Sequence, residues 1–308
     1  MTPKAAKKKN NFISEQLCVQ AARTCNLYCV YCQNPPTGDR PSIGKTAAEI
    51  KKKGVTAVSL EGGGEPTAGG DFFDWIKALK SAGVKNFMLS TNAVALADPE
   101  FCRRAEKAVD YFTVNFPAAD PETYGKATRS VKFALAAKGL ENLKALGAEK
   151  KIRLFHIIFE DNYRLLPRFA DWVIKNLPGL AFVNFTFVRN AGRVKNSRKI
   201  VPRYTDAEPF LKLALAKLKL KGVKAVVQNV PLCRLANFEG FSFEFQRWLR
   251  GDRILEAGIK KKAKNKACAR CALEPACCGA RADYLKIHGN KELKTSAKEP
   301  GTIRPETF

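Results

Sequence analysis

Three cysteines stand on one short stretch, Cys25-Asn26-Leu27-Tyr28-Cys29-Val30-Tyr31-Cys32, directly after the apolar segment Leu17 to Ala22. Thiolates are soft ligands that suit iron–sulfur clusters and zinc. A closed ferredoxin-type cubane takes four cysteines, so three thiolates from one loop hold three irons and leave the fourth open to a ligand. An open position is what separates a catalytic metal site from a closed structural one. By themselves the residues also allow a zinc loop short of one ligand, or coincidence in a chain with ten cysteines.

A second motif follows the apolar stretch Val55 to Leu60: Glu61-Gly62-Gly63-Gly64-Glu65-Pro66. Together, Cys25-x3-Cys29-x2-Cys32 with aromatic Tyr31 before the last cysteine, and Gly63-Gly64-Glu65-Pro66 after it, resemble the radical S-adenosylmethionine (SAM) enzymes. The resemblance implies a SAM-binding 4Fe-4S cluster on Cys25, Cys29 and Cys32, with the amino and carboxylate groups of SAM on the open iron. It also implies Gly63, Gly64 and Glu65 near the methionine amino group, and Tyr31 beside the adenine. Thr91 or Asn92, and Asn115, would lie near the SAM ribose or carboxylate. From their residue types alone, Ser90-Thr91-Asn92 is also ordinary turn chemistry, and Asn115 can serve local backbone groups.

A second group of cysteines lies near the C-terminus. Cys268-x2-Cys271-x5-Cys277, with Cys233 from upstream, supplies four thiolates, enough to close a metal site. Four-cysteine spacing of this kind reads as zinc by default. Beside a radical SAM loop it resembles the SPASM and twitch extensions, which implies an auxiliary 4Fe-4S cluster. The full SPASM pattern carries another cysteine where this chain has Arg281, so one auxiliary cluster is expected. Cys277 and Cys278 are adjacent, and the spacing favours Cys277. Cys18 and Cys102 are expected in the core, because free cysteine behaves as a small hydrophobe.

Arg189-Asn190-Ala191-Gly192-Arg193 places two arginines beside a glycine. Arg189 is a candidate partner for the SAM carboxylate or for substrate, since guanidinium pairs bidentately with such groups. His156 lies between Phe155 and Ile157 and reads as a packed core residue. With His288 near the other end, the two histidines form no pair, and hydrolytic nucleophile chemistry finds no support.

Apolar strand-length runs alternate with helix-length segments, the pattern of βα units around a parallel sheet. The strands expected are Leu17 to Ala22, Val55 to Leu60, Val84 to Ser90, Tyr111 to Phe116, Ile152 to Phe159, Ala181 to Val188 and Lys224 to Val230. Helices are expected at Ala47 to Lys53, Phe72 to Ser81, from Asp98-Pro99, at Arg129 to Leu146, Tyr163 to Leu177 and Tyr204 to Leu220. The fold expected is α/β, a partial (β/α)6 TIM-like barrel with a small C-terminal cysteine-rich iron–sulfur domain. In such barrels chemistry sits on the loops after the strands. The domain boundaries follow: 1–11 a basic disordered arm, 12–230 the barrel, 231–290 the auxiliary-cluster domain, and 291–308 a disordered tail rich in Lys, Glu, Thr and Pro.

The 308 residues carry 54 Lys and Arg against 29 Asp and Glu, a net charge of +25. Such a balance suits a polyanionic partner such as RNA, or a lysine-rich solvated surface; the scatter of the basic residues favours the latter. No window approaches the ~18 apolar residues of a membrane span. Ten cysteines without a signal-peptide core point to a reducing cytoplasm and to metal or redox chemistry instead of disulfides.

By resemblance, the protein is expected to be an oxidoreductase-type enzyme that cleaves SAM reductively to a 5′-deoxyadenosyl radical, which takes hydrogen from a substrate. Extensions of the SPASM kind often accompany peptide or protein substrates. The alternatives are RNA (tRNA) modification and, in another class, a non-catalytic iron–sulfur or zinc protein that binds nucleic acid. The partners implied are a low-potential electron donor of flavodoxin or ferredoxin type and the substrate, with no membrane.

Overall fold

The computed structural model describes residues 17–40, 42–195, 197, 199–251 and 262–306. Seven parallel strands pair in chain order: β1 Leu17–Val19, β2 Ala57–Leu60, β3 Asn86–Thr91, β4 Tyr111–Asn115, β5 Ile152–Ile158, β6 Phe182–Phe187 and β7 Ala225–Gln228. β1 and β7 are the two edges and do not pair with each other. The sheet is therefore an open, partial (β/α)6 barrel. Its strands run shorter than their apolar stretches. Ala21 and Ala22 are buried but unpaired, because the chain leaves the sheet there for the cysteine loop.

The connecting helices are α1 Ile43–Lys53, α2 Phe72–Ser81, α3 Pro99–Ala108, α4 Pro121–Thr128, α5 Phe133–Ala145, α6 Leu166–Asn176 and α7 Tyr204–Leu220. Each begins or ends where local chemistry dictates. Asp98 accepts from Phe101 N at 2.6 Å, with Pro99 at the first turn of α3, and Gly54 closes α1 in the left-handed region.

α4 was not among the expected helices, although Asp120-Pro121 repeats the signal that marks α3. Asp120 accepts from Thr123 N at 2.8 Å. The helix expected over Arg129 to Leu146 starts later, at Phe133. Arg129 takes the left-handed conformation, φ 51°, and ends α4 instead.

The C-terminal part adds α8 Phe243–Leu249, an antiparallel pair β8 Lys262–Ala263 and β9 Ala280–Arg281, and α9 Ala282–His288. It has its own small core of Leu232, Phe245, Leu273, Ala276 and Ile303. It docks on the barrel through Tyr284, whose ring stacks 3.9 Å from that of Tyr204.

Two expectations are corrected. Residues 291–306 are not a disordered tail: Leu293 and Ile303 are buried, and Glu292 accepts from Thr205 Oγ1 at 2.7 Å and from Tyr284 Oη. A few anchors in a polar segment suffice to hold it, and averaged composition conceals them. Cys18 is not in the core either. It is exposed on edge strand β1 and donates to Glu61 Oε1 at 2.9 Å, with its thiol pushed up to about 12 by partial burial and by that carboxylate. Cys102 is fully buried as expected. The arm 1–11 lies outside the described residues.

Candidate active site and second cysteine site

The loop after β1 is held from three sides. Tyr28 N and Val30 N donate to Thr128 O and Ala127 O, both at 2.9 Å, so the last carbonyls of α4 clasp the loop. These are the carbonyls a helix end leaves without intrahelical partners. From the loop after β6, Arg193 N donates to Cys32 O at 2.9 Å and Arg193 Nη1 to Cys29 O at 3.3 Å. Gly192 permits that approach, since a Cβ there would lie 2.4 Å from Cys32 O. From the loop after β2, Glu65 N donates to Thr24 O at 2.8 Å. A Cβ on Gly64 would lie 2.2 Å from the same oxygen, which is why the motif needs glycine there.

Cys25, Cys29 and Cys32 open into one cavity of about 320 Å³ at the C-terminal ends of the strands. Of the residues singled out from the sequence, Tyr31, Gly64, Glu65, Thr91, Asn92, Asn115 and Arg189 share its wall. Gly63 does not; its backbone turns against the Gln20 side chain. Gln33, Thr186 and Gln228 also line the cavity and were not foreseen. Thr186 and Gln228 sit at strand ends where a position-by-position reading would have found them.

Glu65 is 4% exposed, and four donors converge on its carboxylate. Thr91 Oγ1 at 2.7 Å and Thr67 Oγ1 at 2.6 Å reach Oε1, Asn92 N reaches Oε2 at 2.7 Å, and Thr67 N approaches Oε1 at 3.3 Å. Burial pushes its carboxyl up, and those donors pull it back. Glu65 is thus a clasp between the loops after β2 and β3. Asn92 continues the clasp, its Nδ2 donating to Asn26 Oδ1 at 2.6 Å. Tyr31 is buried, tilted against Phe159 at 5.3 Å, and Asn115 Nδ2 donates to its hydroxyl at 3.1 Å.

Burial pushes the Cys29 thiol up to about 12 and raises that of Cys25 as well. A metal binds the thiolate, so its binding there would release the thiol protons. The buried Tyr124 hydroxyl, within electrostatic reach of Cys29, has no hydrogen-bond partner among the described residues. Three thiols, the glycines of the loop after β2 and polar groups lining one cavity fit an iron–sulfur cluster with SAM beside it. Arg189, an exposed side chain, donates from Nη1 to Gln33 Oε1 at 3.2 Å. His156 is a core residue as expected: Nδ1 meets Phe116 O at 3.1 Å, Nε2 meets Asn162 Nδ2 at 3.1 Å, and burial holds its imidazole down at about 3.

Cys233, Cys268, Cys271 and Cys277 line a second, smaller cavity together with Leu273 and Leu293. Cys278 is not on its wall. Three of the sulfurs accept from backbone amides: Cys277 from Gly279 N at 3.4 Å, Cys271 from Ser296 N at 3.2 Å and Cys268 from Asn265 N at 3.5 Å. Amide donors of this kind tune iron–sulfur clusters. Among the described residues no three His, Cys, Asp or Glu side chains converge on a point where one ion would sit. The cysteines of each set instead share the wall of a cavity.

A sequence model of the radical SAM superfamily matches residues 19–173. The GTP 3′,8-cyclase of Vibrio parahaemolyticus is 28% identical over 163 residues, 48% of this chain and 47% of that one. Mycofactocin maturase MftC of Mycobacterium ulcerans is 32% identical over 157 residues, 47% of this chain and 40% of that one. The chain thus spans about half the length of the curated relatives it matches. Streptococcus suis SuiB has the same fold: bound to S-adenosylmethionine it superposes with a TM-score of 0.60 and 16% identity, over 92% of this chain and 76% of that one. Bound to its precursor peptide SuiA it superposes with a TM-score of 0.61. With the cysteine motif, the glycine-rich cradle and the partial barrel in agreement, this chain belongs to the radical SAM superfamily, whose cofactors are a 4Fe-4S cluster and SAM.

Proposed function

We propose that the protein is a radical SAM enzyme that modifies a peptide or protein, with its SAM-binding cluster on Cys25, Cys29 and Cys32 and an auxiliary 4Fe-4S cluster on Cys233, Cys268, Cys271 and Cys277. The observation that carries this reading is the single cavity shared by the three loop cysteines, Glu65, Thr91, Asn92, Asn115 and Arg189. When bound, the cofactors supply a carbon-centred radical for hydrogen abstraction. The chain orients them through the Glu65 clasp and the α4 carbonyls, and lines their cavity with Tyr31, Phe155 and Phe187 to keep water away.

A peptide substrate is supported by the likeness to a maturase and to a fold that holds a precursor peptide. A low-potential electron donor is implied, since SAM cleavage consumes one electron. A second reading, a nucleotide or RNA substrate, is favoured by the cyclase relatives and the +25 charge.

Anaerobically reconstituted protein with a strong reductant and SAM should release 5′-deoxyadenosine, and Cys29→Ala should release none; equal release would end the reading. The substrate class is tested by which additive accelerates release: a short peptide encoded beside the gene, GTP, or tRNA at roughly physiological salt, where non-specific RNA binding is weak, Kd ~10⁻⁴ to 10⁻⁶ M. Acceleration by the peptide alone is the expected result.

A further inference from the structure

The cysteine loop turns one aromatic ring outward. Tyr28, between Cys25 and Cys29, is 51% exposed, whereas Tyr31 is buried. Its ring lies beside two guanidiniums, Arg193 Cζ at 3.5 Å and Arg129 Cζ at 5.2 Å from the centroid. Lys132 stands next to them, its Nζ donating to Asn26 O at 3.2 Å. Val131 is 97% exposed at the tip between α4 and α5. Among the described residues, no carboxylate forms an ion pair with Arg129, Lys132 or Arg193. Their neighbours Lys126 and Lys138, by contrast, pair with Glu122 and Glu141.

Three cations without carboxylates around an exposed ring are costly in self-repulsion, and they favour a partner of opposite charge. Tyrosine and arginine are also the residues on which binding energy concentrates at interfaces. The patch is backed by the loop whose cysteines face the cavity, and Tyr28 N is tied to Thr128 O. We propose that the patch of Tyr28, Arg129, Val131, Lys132 and Arg193 is the docking surface for a small acidic one-electron carrier protein.

The inference rests on the proposed reaction, which consumes an electron that must come from outside the chain. One electron passes from the carrier's reduced cofactor to the iron–sulfur group; the carrier is oxidised by one, the group reduced by one, and no atom is transferred. Electron-transfer encounters bury less than ~1,200 Å² and dissociate readily, so such a partner needs no large apolar interface.

The test uses reconstituted holoenzyme, a bacterial flavodoxin as probe, and the variants Arg129→Glu and Val131→Asp. Flavodoxin Kd is measured by titration at low and roughly physiological salt, and 5′-deoxyadenosine release is driven either by reduced flavodoxin or by dithionite. We expect Arg129→Glu to weaken flavodoxin binding by about ten-fold at low salt and Val131→Asp by a smaller factor. Flavodoxin-driven release should fall in parallel, and dithionite-driven release should not change. Unchanged flavodoxin Kd in both variants would overturn the assignment. So would an equal fall with dithionite, which marks damage to the cysteine loop, or loss of tRNA binding with flavodoxin binding retained. If the unmutated protein released nothing even with dithionite, the proposed reaction would fail, and flavodoxin binding would still decide the surface.

Discussion

Ser296 N donates to Cys271 Sγ at 3.2 Å, and Ser296 O accepts from Ala272 N at 2.9 Å. A segment whose composition reads as disordered therefore closes one side of the second cysteine site. An amide donor to a cluster sulfur favours the reduced, more negative state. Ser296→Pro removes that donor. It should leave the iron content unchanged and lower the reduction potential of the auxiliary cluster, as read by an EPR-monitored redox titration. An unchanged potential would mean that this bond does not tune the site.

The two cysteine sets predict a metal inventory. Reconstituted protein should hold about eight irons and little zinc, and changing either set to Ala should leave about four. Cys278→Ala should leave about eight, because that thiol is off the cavity wall. Iron and zinc are counted by plasma emission spectrometry. About four irons with one zinc in the unmutated protein would remove the auxiliary cluster.

Glu65→Gln tests the clasp. An amide cannot satisfy the donors that converge on the carboxylate, and it turns an NH2 group toward at least one of them. Bonds to a charged partner are worth about 1.5–3 kcal/mol each. The variant should lose a few kcal/mol of stability by denaturant titration and bind SAM more weakly. Retained stability with normal SAM affinity would show that the clasp does not position the loops.

His156 predicts a pH dependence. Its folded-state value of about 3 lies below the ordinary 6.5, so the unfolded chain takes up the proton first. Its contribution to stability is complete above about pH 6.5 and falls by up to about 1.4 kcal/mol per pH unit toward pH 3. The difference in denaturation midpoint between the unmutated protein and His156→Asn should shrink as pH falls through that window. A constant difference would show that the imidazole is not held neutral.

Much of the site was legible in the residue order because it is written in short, local patterns. Cys25, Cys29 and Cys32 share one loop, Gly64 and Glu65 follow the next strand, Thr91 and Asn115 each end a strand, and Asn92 and Arg189 stand just after one. Parallel strands bring such loops to one end of the barrel whatever their separation in sequence. The apolar period likewise marks the strands, though not where pairing stops. β1 ends at Val19 because the chain must turn into the cysteine loop, a long-range demand that the local pattern does not carry.

The sequence by itself carried the two motifs by which the chain resembles radical SAM enzymes and the apolar alternation that marks the fold class, since both are written in residue types at fixed short spacings. Only the tertiary structure decided what spends its chemistry where. Glu65 carries a free-looking carboxylate in the motif, yet buried donors from the next loop, Thr91 Oγ1 and Asn92 N, together with Thr67 claim it. The α4 carbonyls that clasp the cysteine loop are invisible in sequence because every residue has a carbonyl. The fate of residues 291–306 was decided by Leu293 and Ile303, whose burial depends on a pocket built from parts of the chain far away. Contacts between distant segments set burial and hydrogen bonding, and composition averages over them.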